Sequence, residues 1–270
     1  MSLDCGDSLE VMSTSRNEGN AGLAPELGTQ LLRTLYTERM FRTWLRDQPQ
    51  GWEIVSGRWS PYYFMLRDAP SRPEVFRLVV HATTALLRST VPDANRLIGL
   101  AATGIPIAAA AAYEMGIPMG FNRKLPNVRS LEELSREVHK YGGHRLVEGD
   151  FAAGDRVVIF DDVVSHFDSK EIAIQQLAME LENRNVSGVE VEAVVVLIDR
   201  GTEAVERAVA AGTRLERLVV LGDDCERMLK GVATDREIEV IQDYVHNPDK
   251  YQDKRVQEAL TKEALAHRGR

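Results

Sequence analysis

The sequence has little cysteine, no long apolar run and no excess of positive charge, and each absence excludes a class of protein. Cysteine occurs only at Cys5 and Cys225, which leaves no disulfide framework or CxxC metal site and is typical of a cytoplasmic protein. No apolar run reaches the roughly 18 residues of a membrane-spanning helix, and the N-terminus has no signal-peptide pattern. The formal net charge of −8 argues against general binding to nucleic acids or anionic membranes, although local basic groups can still hold a small phosphorylated ligand.

What is present is the composition of a globular protein. The 270 residues are 44% hydrophobic and 27% charged, enough for one large α/β domain or two small ones. Residues 1–24 are rich in Ser, Gly, Asn and Asp and have no apolar period, which predicts a disordered arm. We expect the main domain over residues 25–232 and a charged helical C-terminal extension over residues 233–270.

Four apolar residues, 157–160, run directly into two adjacent carboxylates, Asp161 and Asp162. A short polar turn follows, and a helical apolar period begins at Ile172. This pattern predicts a buried parallel strand, a tight loop and a helix. Ligands bind at the carboxyl ends of such strands, and two neighbouring carboxylates on an alternating strand cannot both point into the core. At least one should therefore face a crevice; the alternative is that Asp162 only caps the following helix.

A second strand–turn–helix pattern lies upstream of the first. Residues 97–100 are typical of a short buried strand. Thr103 and Gly104 lie in a turn of small residues, and residues 108–115 form an alanine-rich helix that Gly116 ends as a C-cap. A glycine in such a turn lets backbone N–H groups approach an anion, although ordinary tight turns use glycine as well.

The segment 122–147 is long and basic, contains glycine and separates two predicted strands. Such a segment inside an α/β domain is often a mobile active-site loop, and a solvated charged loop is the alternative. Residues 131–139 have the spacing of one or two helical turns. The basic residues of this segment are Arg123, Lys124, Arg129, Arg136, His139, Lys140, His144 and Arg145.

The rest of the chain alternates helices with strands. Apolar spacing predicts a helix from residue 25 through residue 45, two short strands around a turn at 56–57, and a helix that begins at Pro73. The later predicted elements are a buried strand over 191–198 that ends in Asp199 and Arg200, a helix over 204–211, a strand over 218–221 and helices after residue 235. This alternation predicts a doubly wound, mainly parallel α/β sheet, with the N-terminal elements as a cover over the strand ends.

The order and spacing of these motifs resemble the type I phosphoribosyltransferases, and within them the orotate phosphoribosyltransferases. The resemblance covers roughly residues 27–230. The motifs that carry it are the hairpin 56–63 followed by 66–67, residues 71–73, the turn 103–106, the loop pieces 136–137, 141–142 and 145–149, the acidic strand with its loop over 158–169, and the strand end 199–200. That family uses the acidic strand and the loop after it to hold phosphoribosyl diphosphate (PRPP).

The resemblance implies a role for each matching residue. It places Asp161, Asp162, Arg136, His139 and Lys140 in catalysis. It places Thr103, Gly104, Arg123, Lys124, Val164, Ser165, His166 and Ser169 around PRPP. It places Tyr62, Tyr63, Phe64 and Arg200 around the base, with Arg200 at the carboxylate of orotate.

The resemblance also implies a fold and a reaction. The fold is the type I sheet with a small N-terminal hood, and the reaction transfers the phosphoribosyl group of PRPP to orotate, giving orotidine 5′-phosphate and diphosphate. Mg²⁺ would be held by the oxygens of PRPP, near Asp161 and Asp162. Loop cations would neutralise the leaving diphosphate while loop closure excludes water. A homodimer, in which the loop reaches the neighbouring subunit's site, is implied as well.

Several residues depart from the family pattern. Phe167 stands where a glycine lets the backbone wrap the 5′-phosphate. Asp168 adds a negative charge at the same place, which His166 would offset if it were protonated. The remaining departures are His139 at the position of a catalytic lysine, Trp59 at the position of another lysine, and an insertion over residues 125–134.

These departures leave two alternatives to orotate phosphoribosyl transfer. One is a homologue on the same fold that acts on another base or on a ribosyl donor without the usual 5′-phosphate. The other is a catalytically silent protein that binds a nucleotide or a partner chain. If the altered loop weakens PRPP binding, replacing Phe167 and Asp168 together by glycine should strengthen it.

Overall fold

A six-stranded sheet forms the centre of the fold. The computed structural model describes residues 25–54, 56–138 and 145–268. The strands are β1 Phe41–Thr43, β2 Trp52–Glu53, β3 Trp59–Ser60, β4 Tyr62–Phe64, β5 Arg96–Gly99, β6 Met119–Asn122, β7 Val147–Glu148, β8 Arg156–Val164, β9 Glu190–Asp199 and β10 Leu215–Val220. The central sheet has the order β10-β9-β8-β5-β6-β7, in which the β6–β7 pair is antiparallel and the other pairs are parallel.

Helices cover both faces of this sheet. They are α1 over residues 25–37, α2 Pro73–Thr90, α3 Gly104–Met115, α4 Leu131–Val138, α5 Asp168–Asn183, α6 Ala204–Ala210, α7 Leu221–Leu229, α8 Asp235–His246 and α9 Lys254–Arg268, with short 3₁₀ helices at Leu66–Ser71 and Pro248–Gln252. One core contains side chains of α1, α2, α3, α7, α8 and α9, and a second core contains those of α4, α5 and α6. The predicted doubly wound α/β fold is therefore confirmed. Among the described residues, no helix combines the length and the apolar content that crossing a membrane requires.

Strand β8 extends past the end of its neighbour β5, and the acidic pair lies in this extended part. Residues 157–160 alternate between the two cores, as expected for a strand buried on both faces. The strand does not end at Asp161 and Asp162, because it stays paired with β9 as far as Val164. Strand β5 ends earlier, at Gly99. The two carboxylates therefore lie above the end of β5, at the edge of the sheet where a ligand can reach them.

The helix after β8 begins earlier than the sequence indicates. Its apolar period begins at Ile172, but α5 begins at Asp168 and has Phe167 as its N-cap residue. The alternative in which Asp162 caps this helix is wrong, because Asp162 belongs to β8 and the loop 165–167 separates it from α5. The first turn of α5 is polar, so the spacing of apolar residues does not show where this helix begins.

The N-terminal hood differs from the prediction in one element. The apolar spacing predicts one helix through residue 45, but α1 ends at residue 37 and Phe41 belongs to β1, which pairs with β4. Arg39 has a φ of 58°, which ends the helical path. The spacing misled because Phe41 still packs in the same core as α1. The hairpin β2–β3 is confirmed, with Gly57 at a φ of 78° in its turn.

The C-terminal helices lie across the hood and share its core. The buried carboxylate of Glu237 in α8 accepts hydrogen bonds from the Tyr36 hydroxyl, at 2.8 Å, and from the Thr43 hydroxyl. In α9, the Thr261 hydroxyl donates to the Pro49 carbonyl at 3.1 Å. The C-terminal extension therefore holds the hood through these hydrogen bonds and a shared core.

Candidate active site

A cleft of about 760 Å³ lies where β5, β8 and β9 end. Most of the residues that the sequence singles out line it: Tyr63, Phe64, Thr103, Arg123, Lys124, Asp161, Asp162, Ser165, His166, Ser169 and Arg200. Open α/β sheets bind their ligands at this position. Stretches that are far apart in the sequence thus meet in one site.

Four of the predicted site residues that the structure describes lie outside the lining of this cleft. Tyr62 and Val164 have side chains that are buried in the two cores. Gly104 begins α3, and a Cβ atom there would lie 2.8 Å from the Phe160 carbonyl oxygen, so a side chain would push the turn away from β8. Arg136 is exposed on α4 and forms an ion pair with Glu132.

The acidic pair is held by a lysine of α5. The Lys170 ammonium donates to Asp161 Oδ2 at 2.6 Å, to the Val163 carbonyl at 2.7 Å and to Ser169 Oγ at 3.2 Å. The other Asp161 oxygen accepts the backbone N–H of Asp162 at 3.0 Å. Because the Lys170 side chain is only 4% exposed, the Asp161 charge is compensated inside the protein. The same ammonium joins the strand before the loop to the helix after it.

Lys170 is a site residue that the sequence analysis missed. It lies on the same face of α5 as Ala173 and Leu177, which are buried. A lysine on the apolar face of a helix, just after two adjacent carboxylates, is the signal that could have identified it.

The surroundings of Asp162 shift its pKa. Burial raises the pKa of Asp162 well above its usual value, and the adjacent Asp161 carboxylate raises it further. The raised pKa favours the protonated form of Asp162 compared with that of an exposed aspartate. Carboxyl groups at the edge of a cleft can accept hydrogen bonds from a sugar's hydroxyl groups, and a protonated one can also donate.

Phe167 adopts the backbone conformation that a glycine would ordinarily supply. Its φ is 69° and its ψ is −8°, in the left-handed region that is unfavourable for a bulky residue. The ring is 1% exposed and packs in the second core. The loop after β8 thus keeps the left-handed backbone at this position, and burial of the ring compensates for the strain.

The charge of Asp168 is compensated by an arginine of α6. Arg207 forms ion pairs of 2.8 Å with both Asp168 and Glu171, and it donates to the His166 carbonyl as well. An arginine from a distant part of the chain thus compensates Asp168, and the expectation that a protonated His166 would offset this charge stays a prediction. An anion would ordinarily bind at the first turn of α5. Here that turn carries two carboxylates, and both are already paired with Arg207 of α6.

Arg200 directly follows β9, lines the cleft and packs against two tyrosine rings. Its guanidinium carbon lies 4.6 Å from the centroid of the Tyr62 ring and 6.0 Å from that of Tyr244. Its Nη2 donates to Ser60 Oγ at 3.2 Å. These contacts hold the cation through ring faces and a neutral hydroxyl.

The positive charge of Arg200 is available to an anionic ligand. Within residues 25–54, 56–138 and 145–268, no carboxylate lies at ion-pair distance from Arg200. The adjacent Asp199 is buried and pairs with Arg217 at 2.8 Å instead. A guanidinium in a cleft without a carboxylate partner is suited to bind an anionic group in a bidentate manner.

A buried amide network supports the floor of the cleft. Asn122 accepts the Ala101 backbone N–H at 2.8 Å and donates to Gln176 Oε1 at 3.0 Å. Gln176 in turn donates to the Arg123 carbonyl at 3.0 Å. The network joins the turn after β5, the end of β6 and helix α5, and nothing in the sequence pattern indicates it.

Replacing Gln176 with leucine should destabilise the protein by about 2 kcal/mol, because the Asn122 amide and the Arg123 carbonyl would lose their buried partner. Gln175→Leu is the matched control, since Gln175 is the exposed neighbour on the same helix and should change the stability by less than about 0.5 kcal/mol. Urea denaturation of both variants measures the difference. Equal stabilities would contradict a structural role for the network.

The predicted catalytic segment is anchored at both ends. On one side, Leu125 and Leu134 of the insertion are buried in the second core. On the other, the Leu146 backbone N–H donates to Glu180 of α5 at 2.6 Å. His139 and Lys140, which the sequence analysis places in catalysis, lie outside the described residues, as does the segment 1–24.

The chain is similar to known orotate phosphoribosyltransferases. No protein-family model matches it. It is 34% identical over 160 residues to an orotate phosphoribosyltransferase of Pyrobaculum aerophilum, covering 58% of this chain and 72% of that relative. It is 26% identical over 193 residues to the Sulfolobus acidocaldarius enzyme of the same name, covering 71% of this chain and 87% of that relative.

Solved structures have the same fold. Leishmania donovani UMP synthase matches with a TM-score of 0.63 at 26% identity, over 81% of this chain and 42% of that one. Aeropyrum pernix orotate phosphoribosyltransferase matches with a TM-score of 0.55 at 24% identity, over 74% of this chain and 99% of that one.

Proposed function

We propose that this chain, which belongs to the orotate phosphoribosyltransferase family, transfers the phosphoribosyl group of PRPP to orotate and releases diphosphate. One observation carries the proposal. The cleft joins the acidic pair, Asp161 and Asp162, to the guanidinium of Arg200 across the ends of β8 and β9. Among the described residues, this guanidinium has no carboxylate partner. A ribose that binds to the first group and a carboxylated base that binds to the second would meet between them.

In this proposal each group has a separate task. Arg200 binds the orotate carboxylate, and the hood residues Tyr63 and Phe64 lie against the base. The carboxyl groups of Asp161 and Asp162 receive the ribose hydroxyls. The bond from ribose C1 to the diphosphate oxygen breaks through an oxocarbenium-like state, and the electron pair leaves with the diphosphate. A ring nitrogen of orotate forms the new bond, and its proton passes to the leaving diphosphate. No covalent bond to the protein is needed.

The diphosphate would lie beside the basic residues at the other end of the cleft. Arg123 and Lys124 line that end together with Thr103, whose turn precedes α3. Arg123 also pairs with Glu148 at 2.5 Å, so a bound diphosphate would compete with that carboxylate. Cations at the leaving group lower the barrier because they stabilise charge that develops only during the reaction.

The described residues fit a Mg²⁺ ion that is held mainly by the substrate. Among them, no three or more His, Cys, Asp or Glu side chains form a group that could hold a metal ion. Each oxygen of Asp161 already accepts one hydrogen bond, so Asp162 is the less occupied hard oxygen donor at the strand end. We therefore propose that Asp162 contacts the Mg²⁺ of a Mg²⁺–PRPP complex directly or through water. When bound, the ion would neutralise part of the diphosphate charge.

Calorimetry with PRPP and Mg²⁺, followed by an assay of orotate consumption and diphosphate release, tests the function. We expect saturable PRPP binding and turnover with orotate, and much weaker turnover with uracil, which lacks the carboxylate. Absence of PRPP binding would overturn the proposal. PRPP binding without turnover of any base would support the catalytically silent homologue instead.

One observation favours the second candidate, a relative that uses a donor without the usual 5′-phosphate. The first turn of α5 carries Asp168 and Glu171, and Arg207 is already paired with both. A phosphate dianion at this helix N-terminus would face two carboxylates unless Arg207 changed partners. Binding of ribose 1-diphosphate more tightly than PRPP would support this candidate.

We also propose a homodimer, as the family resemblance implies. Light scattering should give twice the 30.2 kDa mass of the chain. A mass equal to that of one chain would contradict the proposal. The cytoplasmic location inferred from the sequence stays a prediction.

A further inference from the structure

The C-terminal extension reaches the base-binding arginine. Tyr244 of α8 has its ring centroid 6.0 Å from the guanidinium carbon of Arg200. The same ring meets Tyr62 edge-on, with centroids 5.4 Å apart and planes at 81°. Arg200 therefore lies against two rings that are perpendicular to each other, one from the hood and one from the C-terminal extension. This arrangement limits the directions in which the guanidinium can point.

The Tyr244 ring is itself fixed. It is 4% exposed, and its hydroxyl donates to the Trp59 carbonyl at 3.0 Å. On its other side lies Tyr251, with ring centroids 5.4 Å apart. A ring held by a hydrogen bond and by two aromatic neighbours gives Arg200 a rigid wall.

A second connection runs from the extension to Arg200 through the hairpin. Gln252 accepts the Trp59 backbone N–H at 2.9 Å and donates to the Trp59 carbonyl at 3.2 Å. The next residue is Ser60, whose hydroxyl accepts the Arg200 hydrogen bond. Both the ring and the hydroxyl that orient Arg200 are thus placed by the residues 244–252.

We propose that Tyr244 is a positioning residue for Arg200 and thereby sets the preference of the site for a base that carries a carboxylate. The proposal rests on the function given above. It assigns to the C-terminal extension a part in base recognition, because the extension contributes a wall of the arginine's pocket. Tyr244 itself need not touch the substrate.

The test compares Tyr244→Leu and Tyr244→Phe in the full-length protein. Leucine removes the ring beside the guanidinium, so the KM for orotate should rise about tenfold while kcat and the KM for PRPP change less than about twofold. The preference for orotate over uracil should fall by the same factor of about ten, since Arg200 reads the carboxylate. Phenylalanine keeps the ring and should keep the orotate KM within about threefold.

Leu260→Ala is the control for simple loosening of the extension, because it removes a buried side chain of α9 and leaves Tyr244 intact. It should lower the melting temperature and leave the orotate-to-uracil preference unchanged. An unchanged preference in Tyr244→Leu, or an equal loss in Leu260→Ala, would overturn the positioning role while the proposed reaction stands. A wild-type protein that does not use orotate would overturn both.

Discussion

Replacing Lys170 with methionine should destabilise the protein by about 3 kcal/mol, the effect expected when one partner of a buried ion pair is removed. Methionine fills nearly the same space but has no charge and no donor. The Asp161 carboxylate, 15% exposed, would lose its 2.6 Å partner. The Val163 carbonyl and the Ser169 hydroxyl would lose theirs as well. Urea denaturation measures the change in the free energy of unfolding.

A double-mutant cycle identifies the cause of this loss. Adding Asp161→Asn to Lys170→Met removes the uncompensated charge and should restore at least half of the lost stability. Lys230→Met is the control, since Lys230 is exposed and its replacement should change the stability by less than about 0.5 kcal/mol. A Lys170→Met variant as stable as the wild type would show that the ion pair contributes nothing net. Equal losses in the single and double variants would place the cause outside Asp161.

The central sheet could be predicted from the sequence because its signals are local. The apolar run 157–160, the Pro73 start of α2 and the Gly116 end of α3 are each decided by neighbouring residues, and the structure confirms all three. The helix predicted through residue 45 is wrong because Arg39 breaks it with a positive φ. Apolar spacing carries no information about that single backbone angle.

The charge pattern of the site could not be predicted in the same way. Arg207 reaches Asp168 from another helix, and Tyr244 reaches Arg200 from the C-terminal extension. Such partners are set by the packing of distant elements, so a motif can indicate that carboxylates meet at a strand end but not which cation lies beside them. Lys170 is intermediate, because its place on the apolar face of α5 is visible in the sequence while its partner is not.

Phe167→Gly should destabilise the protein by about 3 kcal/mol, even though glycine suits the backbone there. Removing a buried phenylalanine ring costs roughly 3–5 kcal/mol, whereas release of the left-handed strain returns about 1 kcal/mol. The packing loss therefore exceeds the gain. Asn185→Gly is the control for the backbone effect, because Asn185 is exposed and has a φ of 55°, and its stability should change by less than about 1 kcal/mol. Stability of Phe167→Gly equal to that of the wild type would show that the ring contributes little.

The obstacle to PRPP binding in this loop should then be the charge of Asp168 and not the ring of Phe167. The Asp168 side chain is 55% exposed, so Asp168→Asn removes its charge at a cost of about 1 kcal/mol or less. It also frees one side of Arg207 for a phosphate. Calorimetry should show PRPP binding about tenfold tighter in Asp168→Asn, since one charge-assisted contact is worth roughly 1–3 kcal/mol. Asp223→Asn changes another exposed aspartate, on α7, and should leave PRPP affinity unaltered. If Asp168→Asn binds PRPP no better than the wild type does, the 5′-phosphate does not bind beside Asp168. That result would contradict this account of the loop and would favour the second candidate function, which uses a donor without the usual 5′-phosphate.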